Sequence, residues 1–231
     1  MKKQNAVQKL LVKYKHGWIL SYFFVYMIWF SWLEKHVTTK FNLIHSRLDD
    51  FIPFNELFII PYILWFFYIF ITVAYFFITS KQDFYKCCAF LFTGMTICLI
   101  IYTLWPNGHN LRVDFNTLGR SNLFTDIIAR LYKFDTSTNV FPSIHVFNSI
   151  GAMIAIHKSE RLCNKKWLQR VTLLLTILIC MSTVFLKQHS IMDVFGGVLL
   201  AIPMYLIVYV PAWGKEAKLV KKRRQELSKV S

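Results

Sequence analysis

Acidic residues are scarce in this chain of 231 residues: 12 Asp and Glu stand against 27 Lys and Arg, giving a net charge of +15. Glycine (8) and proline (6) are few as well, which excludes collagen-like and linker-type architectures. The five cysteines, Cys87, Cys88, Cys98, Cys163 and Cys180, show no Cys-x-x-Cys spacing, so neither a disulfide framework nor a zinc site is implied. No internal repeat and no low-complexity segment interrupts the chain. What is abundant is apolar: 55% of the residues are hydrophobic and 17% aromatic. That balance excludes disorder and argues for a membrane protein.

Six apolar stretches have about the length an α-helix needs to cross roughly 30 Å of hydrocarbon. They run from Gly17 to Leu33, Leu57 to Thr79, Phe84 to Trp105, Val140 to His157, Val171 to Leu186 and Ile191 to Val210. Trp167 and Arg170 complete the short fifth one from the interface. The first follows a basic stretch, but no small-residue cleavage site comes after Trp32-Leu33, so it reads as a retained helix rather than a secretion signal. With six spans both termini share a side. Nineteen of the basic residues fall on that side and eight on the other, so the positive-inside rule puts both ends in the cytoplasm. A basic surface facing anionic lipid accounts for the charge excess, and nucleic acid is not an expected partner.

The expected fold is therefore all-α, an integral membrane six-helix bundle over residues 17–213. Before it, residues 1–16 place Val7, Leu10, Leu11 and Tyr14 on one helical face among lysines, a basic amphipathic interfacial segment. After it, residues 214–231 form a basic cytoplasmic tail. In the long connection from Pro106 to Asn139, Pro106-Asn107-Gly108 is a turn signal. Further on, Leu123, Phe124, Ile127, Ile128 and Leu131 line one face of a short helix with Ser121 or Asn122 as its cap. The expectation is an extracytoplasmic loop helix lying over the mouth of the bundle. The first outer loop carries Asp49, Asp50 and Pro53, to which the sequence assigns no role.

Ionisable residues at membrane depth are costly and mark functional sites. Arg112, His145, Lys187 and His189 all fall at the outer ends of spans, and Asp193 lies about one turn deeper on the sixth. His189 and Asp193 are spaced i, i+4 and share a helix face. A carboxylate on one imidazole nitrogen fixes the tautomer and leaves the other nitrogen free to attack phosphorus. His145 is placed to protonate the departing alkoxide. Pro142-Ser143 reads as a helix start capped by Ser143. The N–H groups of that first turn, and those beside His189, would point at an anion, and Arg112 could add a bidentate clamp. Each piece has a plainer reading: a helix-packing histidine, a structural pair or half a metal site, an ordinary loop charge. His16, His36, His45, His109 and His157 are assigned no chemistry.

At these residues the chain resembles the type 2 phosphatidic acid phosphatase superfamily, which has six transmembrane helices and three sequence blocks. The family's second block, Pro-Ser-Gly-His, appears as Pro142-Ser143-Ile144-His145. The third, Ser-Arg, five residues, His, three residues, Asp, appears as Ser182-Thr183, five residues, His189, three residues, Asp193. The first, Lys, six residues, Arg-Pro, survives as Arg112-Val113, with Trp105 where the Lys would stand.

The resemblance implies a metal-independent reaction through a phosphohistidine, with no cofactor. His189 would be the nucleophile, Asp193 its orienting partner and His145 the acid and then the base, while Arg112 and Ser143 would hold phosphate. Two phosphate-binding cations of the family are missing. Lys187, i, i+4 from Thr183 on the fifth helix, is the expected substitute for the absent Arg. This loss, with a non-Gly residue before the first catalytic His, also looks like the branch containing inositol phosphorylceramide synthase, whose members pass a phosphorylated head group to an alcohol.

The expected activity is hydrolysis of a phosphoester or pyrophosphate of an amphipathic lipid at the outer leaflet of the cell membrane. Lipid phosphotransfer is the near alternative, and a transporter or other non-catalytic bundle the distant one.

Overall fold

Helices occupy all six apolar stretches in the computed structural model, which describes residues 12–210. The basic tail and most of the amino-terminal basic segment lie outside the described residues. Among the described residues eight α-helices follow in order: α1 (Tyr22–His36), α2 (Arg47–Phe51), α3 (Ile59–Thr79), α4 (Lys81–Leu104), α5 (Leu123–Phe134), α6 (Ile144–Lys158), α7 (Lys166–Phe185) and α8 (Ile191–Tyr209). Among the described residues, four helical stretches are long and apolar enough to cross a membrane: Glu56–Thr79, Lys81–Leu104, Lys166–Phe185 and Ile191–Tyr209. α1 and α6, at 15 residues each, rise only about 22 Å at 1.5 Å per residue.

α6 can be short because it sits at the centre. It packs against α3, α4, α7 and α8, whereas α1 leans on α4. Small residues set these contacts. Phe147 of α6 lies where a side chain at Gly94 of α4 would be, and Phe90 of α4 lies where one at Gly151 of α6 would be. The two rings stack with centroids 4.9 Å apart, so each aromatic fills the other helix's glycine notch. Apolar helices gain no hydrophobic drive from lipid, and close packing of this kind is what binds them together. Gly197 brings α8 against the start of α6: a Cβ there would lie 2.9 Å from the Ser143 carbonyl oxygen.

Connections at one end of the bundle are tied into a compact cap. α5 forms as its periodicity predicts, with Asn122 capping the Phe124 and Thr125 N–H groups and Ile128 buried against Ile59, Tyr62 and Leu186. Pro106-Asn107-Gly108, expected to be a turn, instead supplies a two-residue strand, β2 (Asn107–Gly108), parallel to β1 (Asn42–Leu43). The Asn107 side chain explains the difference. It accepts from the Val140 and Phe141 N–H groups and donates to the Trp105 and Phe141 carbonyls, which holds the chain extended. Gly108 is needed because a Cβ would lie 2.7 Å from the Ser137 carbonyl oxygen. Glu34, at the end of α1, accepts from Thr136 and Asn139, and Tyr62 of α3 donates to Asp135. The long connection is thereby fastened to α1 and α3.

Candidate active site

His145 and His189 come together at this capped end. Their ring centroids are 5.7 Å apart and the planes meet at 64°. Two elements bring them there. Ser143, fully buried, caps α6 through the Val146 N–H, and its own N–H donates to the Asp193 carbonyl oxygen at 3.0 Å, locking the start of α6 to the first turn of α8.

His145 is half-buried, its ring lying 4.3 Å from that of Trp65 and 4.8 Å from that of Tyr62, centroid to centroid. Its Nδ1 is buried without a hydrogen-bond partner.

His189 is 7% exposed and Asp193 fully buried. The imidazole Nδ1 meets Asp193 Oδ2 at 3.2 Å, and the same oxygen accepts the Ser190 N–H at 2.8 Å. A carboxylate facing Nδ1 selects the tautomer with the proton there and leaves the Nε2 lone pair free. The i, i+4 geometry expected from sequence is present, although His189 itself lies two residues before α8 begins.

The two helix starts differ in what they can offer an anion. Every N–H beside His189 is taken: His189 N–H by the Thr183 carbonyl, Ser190 N–H by Asp193, Ile191 N–H by Asp49 and Met192 N–H by the Ser190 hydroxyl. The expectation of free donors there is corrected, because two carboxylates already occupy that terminus. At the start of α6, Ile144 and His145 N–H have no acceptor among the described residues.

Arg112 reaches the site without facing it openly. Its Nη1 donates to the Tyr132 carbonyl at 2.7 Å, and its Nη2 to the Asp135 carbonyl and to Gln188 Oε1. The guanidinium lies 4.4 Å over the Tyr132 ring, and burial lowers its pKa while Asp135 opposes the shift. Three of its five N–H donors are thus engaged, and its Nε is buried and unpartnered.

Lys187 departs from the expectation in a specific way. α7 ends at Phe185, and Lys187 takes a left-handed φ of 53°, so it is not on the helical face of Thr183. Its Nζ donates to the Asp49 carbonyl oxygen at 2.8 Å, and burial pulls the ammonium below the usual lysine range. Thr183, where the resembled family has arginine, accepts the Gln188 and His189 N–H groups on its carbonyl at 3.0 Å each. Trp105, at the position of the family's lysine, is exposed with its ring edge-on to Phe141.

Sequence reading missed three residues that shape the site. His109 is 2% exposed; its Nδ1 accepts the Leu111 N–H and its Nε2 donates to the Gln188 carbonyl at 2.7 Å. Burial, with a smaller contribution from His189, pushes it down to about 4, a neutral bracket behind the His189 turn. Asp49 is 2% exposed and contacts the His189 segment directly. Gln188 lies between Arg112 and His109. No local pattern flags their part in the site, since the contacts that place them there join segments 76 to 142 residues apart in sequence. An open depression of about 460 Å³ adjoins Lys187, lined by Leu43, His45, Asp49, Asp50, Asn110 and Leu111; neither His145 nor His189 lines it.

The family model described as the PAP2 superfamily matches residues 120–216, a stretch that includes His145, His189 and Asp193. That match supports the type 2 phosphatidic acid phosphatase superfamily, whose members are phosphatases or phosphotransferases acting on phosphoric esters. No curated protein and no solved structure matches the chain.

Proposed function

We propose that this chain is an integral membrane lipid phosphatase that hydrolyses a phosphoester or pyrophosphate of an amphipathic lipid at the outer leaflet. The 5.7 Å separation of the His145 and His189 rings carries the reading. A near-attack nitrogen stands about 3–3.5 Å from the atom it attacks, and a general acid within about 2.6–3.2 Å of the oxygen it protonates. Two imidazoles at this spacing can serve one phosphoryl group from two sides.

In the first step His189 Nε2 attacks phosphorus, the P–O bond to the lipid breaks, and His145 gives its proton to the leaving oxygen. Asp193 stabilises the positive charge that forms on the phosphorylated imidazole. In the second, His145 takes a proton from water, the hydroxyl attacks phosphorus, the P–N bond breaks and phosphate leaves. The Ile144 and His145 N–H groups at the Ser143 turn hold phosphate oxygens, and Arg112, through the Nε it has free, adds a positive charge. Lys187 contributes field at the mouth. The substrate enters from membrane lipid, with the site on the extracytoplasmic face.

The test is phosphate release by the purified protein over a panel of lipid phosphates and diphosphates in detergent, with and without EDTA. We expect chelator-insensitive turnover, an acid-labile, base-stable phosphoprotein in rapid quench, and loss of both in His189→Ala. A His189→Ala variant with intact turnover overturns the mechanism. The same assay includes an alcohol acceptor. A new lipid product in place of free phosphate would make the protein a phosphotransferase with the same nucleophile.

A further inference from the structure

We propose that Asp49 is a positioning residue for the nucleophile: through Ser190 it holds the His189–Asp193 pair in place. This rests on the reading of His189 as the attacking group.

Asp49 sits on α2, a five-residue helix of the first connection. Its carboxylate does three things. Oδ2 accepts the Ser46 N–H at 2.8 Å, closing the capping box of its own short helix. The same oxygen accepts the Ser190 hydroxyl at 2.6 Å, and Oδ1 accepts the Ile191 N–H at 2.8 Å. Its backbone carbonyl takes the Lys187 ammonium at 2.8 Å. Residues on both sides of His189 are therefore fastened to one buried side chain and its own main chain.

The connection to the imidazole runs through Ser190. Its hydroxyl proton goes to Asp49, while its N–H goes to Asp193 Oδ2, the oxygen that faces His189 Nδ1. Moving Ser190 moves that oxygen. α8 does not need Asp49 as a cap, since Ser190 and Asp193 already form a complete capping box there. A second carboxylate on the same turn adds like-charge repulsion. The turn from Lys187 to Ser190, which begins in a left-handed conformation, is held at Gln188 and His189 by the Thr183 carbonyl, whereas its far end, at the Ser190 hydroxyl, is held by Asp49. A loop residue from 140 positions away thus performs the task that the helix's own cap cannot: it fixes the approach of the nucleophile-bearing turn.

Catalytic geometry of this kind tolerates little, and a displacement of about 1 Å can cost 10²-fold in rate. The experiment uses the full chain in detergent micelles with dioctanoyl phosphatidate. Asp49→Asn keeps an acceptor for Ile191 but puts a donor where Ser190 and Ser46 need an acceptor. We expect kcat to fall about 10- to 100-fold with KM within about twofold, and Asp49→Glu to recover part of the loss. Asp50→Asn, which alters the neighbouring exposed acid paired with His45, is expected to stay near the wild-type rate. Ser190→Ala is expected to resemble Asp49→Asn, and the double variant to be no worse than either.

A second readout does not depend on turnover. Imidazole nitrogen NMR is expected to show His189 as the Nδ1–H tautomer in the wild type and in Asp50→Asn, and as a mixture in Asp49→Asn and Ser190→Ala. Wild-type kcat and tautomer in Asp49→Asn overturn the proposal, as do losses in the two single variants that multiply in the double. If the wild type hydrolyses no lipid phosphate, the functional reading fails while the tautomer still decides the role of Asp49. Should Asp49→Asn not fold, Asp49→Glu and Ser190→Ala carry the same comparison.

Discussion

His145 differs from His189 in having no carboxylate to hold it. Its ring is positioned by tilted contacts with Tyr62 and Trp65, which hold its orientation while its Nδ1 has no hydrogen-bond partner. A general acid contributes about 10²- to 10⁴-fold, and its contribution shrinks when the leaving group needs no proton. His145→Ala is therefore expected to lose at least 10²-fold on an alkyl lipid phosphate and far less on an aryl phosphate with an acidic leaving group. Equal losses on both would remove His145 from the acid role. His109 carries a different prediction. Its imidazole is pushed down to about 4 by burial, against about 6.5 in the unfolded chain. Between these values the unfolded state holds the proton and the folded state does not, so stability falls as pH drops from about 6.5 towards 4. At about 1.4 kcal/mol per pKa unit the contribution is a few kcal/mol at most. The thermal midpoint in detergent is expected to decline over that window, and His109→Asn to flatten the decline.

Helix packing and loop attachment make separate demands. At Gly94 a Cβ would lie 2.0 Å from the Phe147 ring, which is itself stacked on Phe90, so neither ring can yield. Gly94→Leu is expected to destabilise the bundle by at least the 1–3 kcal/mol typical of overpacking, read as a lower thermal midpoint and poor recovery from membranes. Arg112→Ala should act at the cap instead. It strips donors from the Tyr132 and Asp135 carbonyls and from Gln188, freeing the end of α5 from the residue preceding His189. The expected signature is a drop in kcat/KM together with faster proteolysis in residues 114–135, with the helical midpoint little changed. These elements also mark where sequence reading succeeds. Apolar periodicity and cap residues are local, so α3 to α8, the Ser143 cap and the cap of α5 to within one residue, Ser121 or Asn122, were legible. The extended Asn107-Gly108, the turn that removes Lys187 from α7 and the clamp by Asp49 were not. Each is decided by a hydrogen bond to a distant segment, and a polar residue in a loop gives no sign of which segment that will be.

On the scale of the whole molecule, the site lies at one end of alternating helices, and the charge distribution makes a claim about which face of the membrane that end occupies. His145 starts α6 and His189 precedes α8, while the connection joining α6 to α7, residues 159–165, lies at the opposite end. Lys158, Arg161, Lys165, Lys166 and Arg170 cluster there, and basic connections are retained in the cytoplasm. Cys163 in that connection is partly accessible, whereas Cys87, Cys88 and Cys98 are buried and the partly exposed Cys180 lies within α7, so the native thiols already contain a probe for one face. A cysteine at Asp114, exposed in the long connection beside Arg112, supplies the other. With a membrane-impermeant maleimide on intact cells, Asp114→Cys is expected to label while Cys163 stays unmodified until the membrane is permeabilised. The reverse pattern would place the two histidines on the cytoplasmic face, where the substrate would have to be a lipid phosphate of the inner leaflet and the orientation drawn from the lysines and arginines would fall.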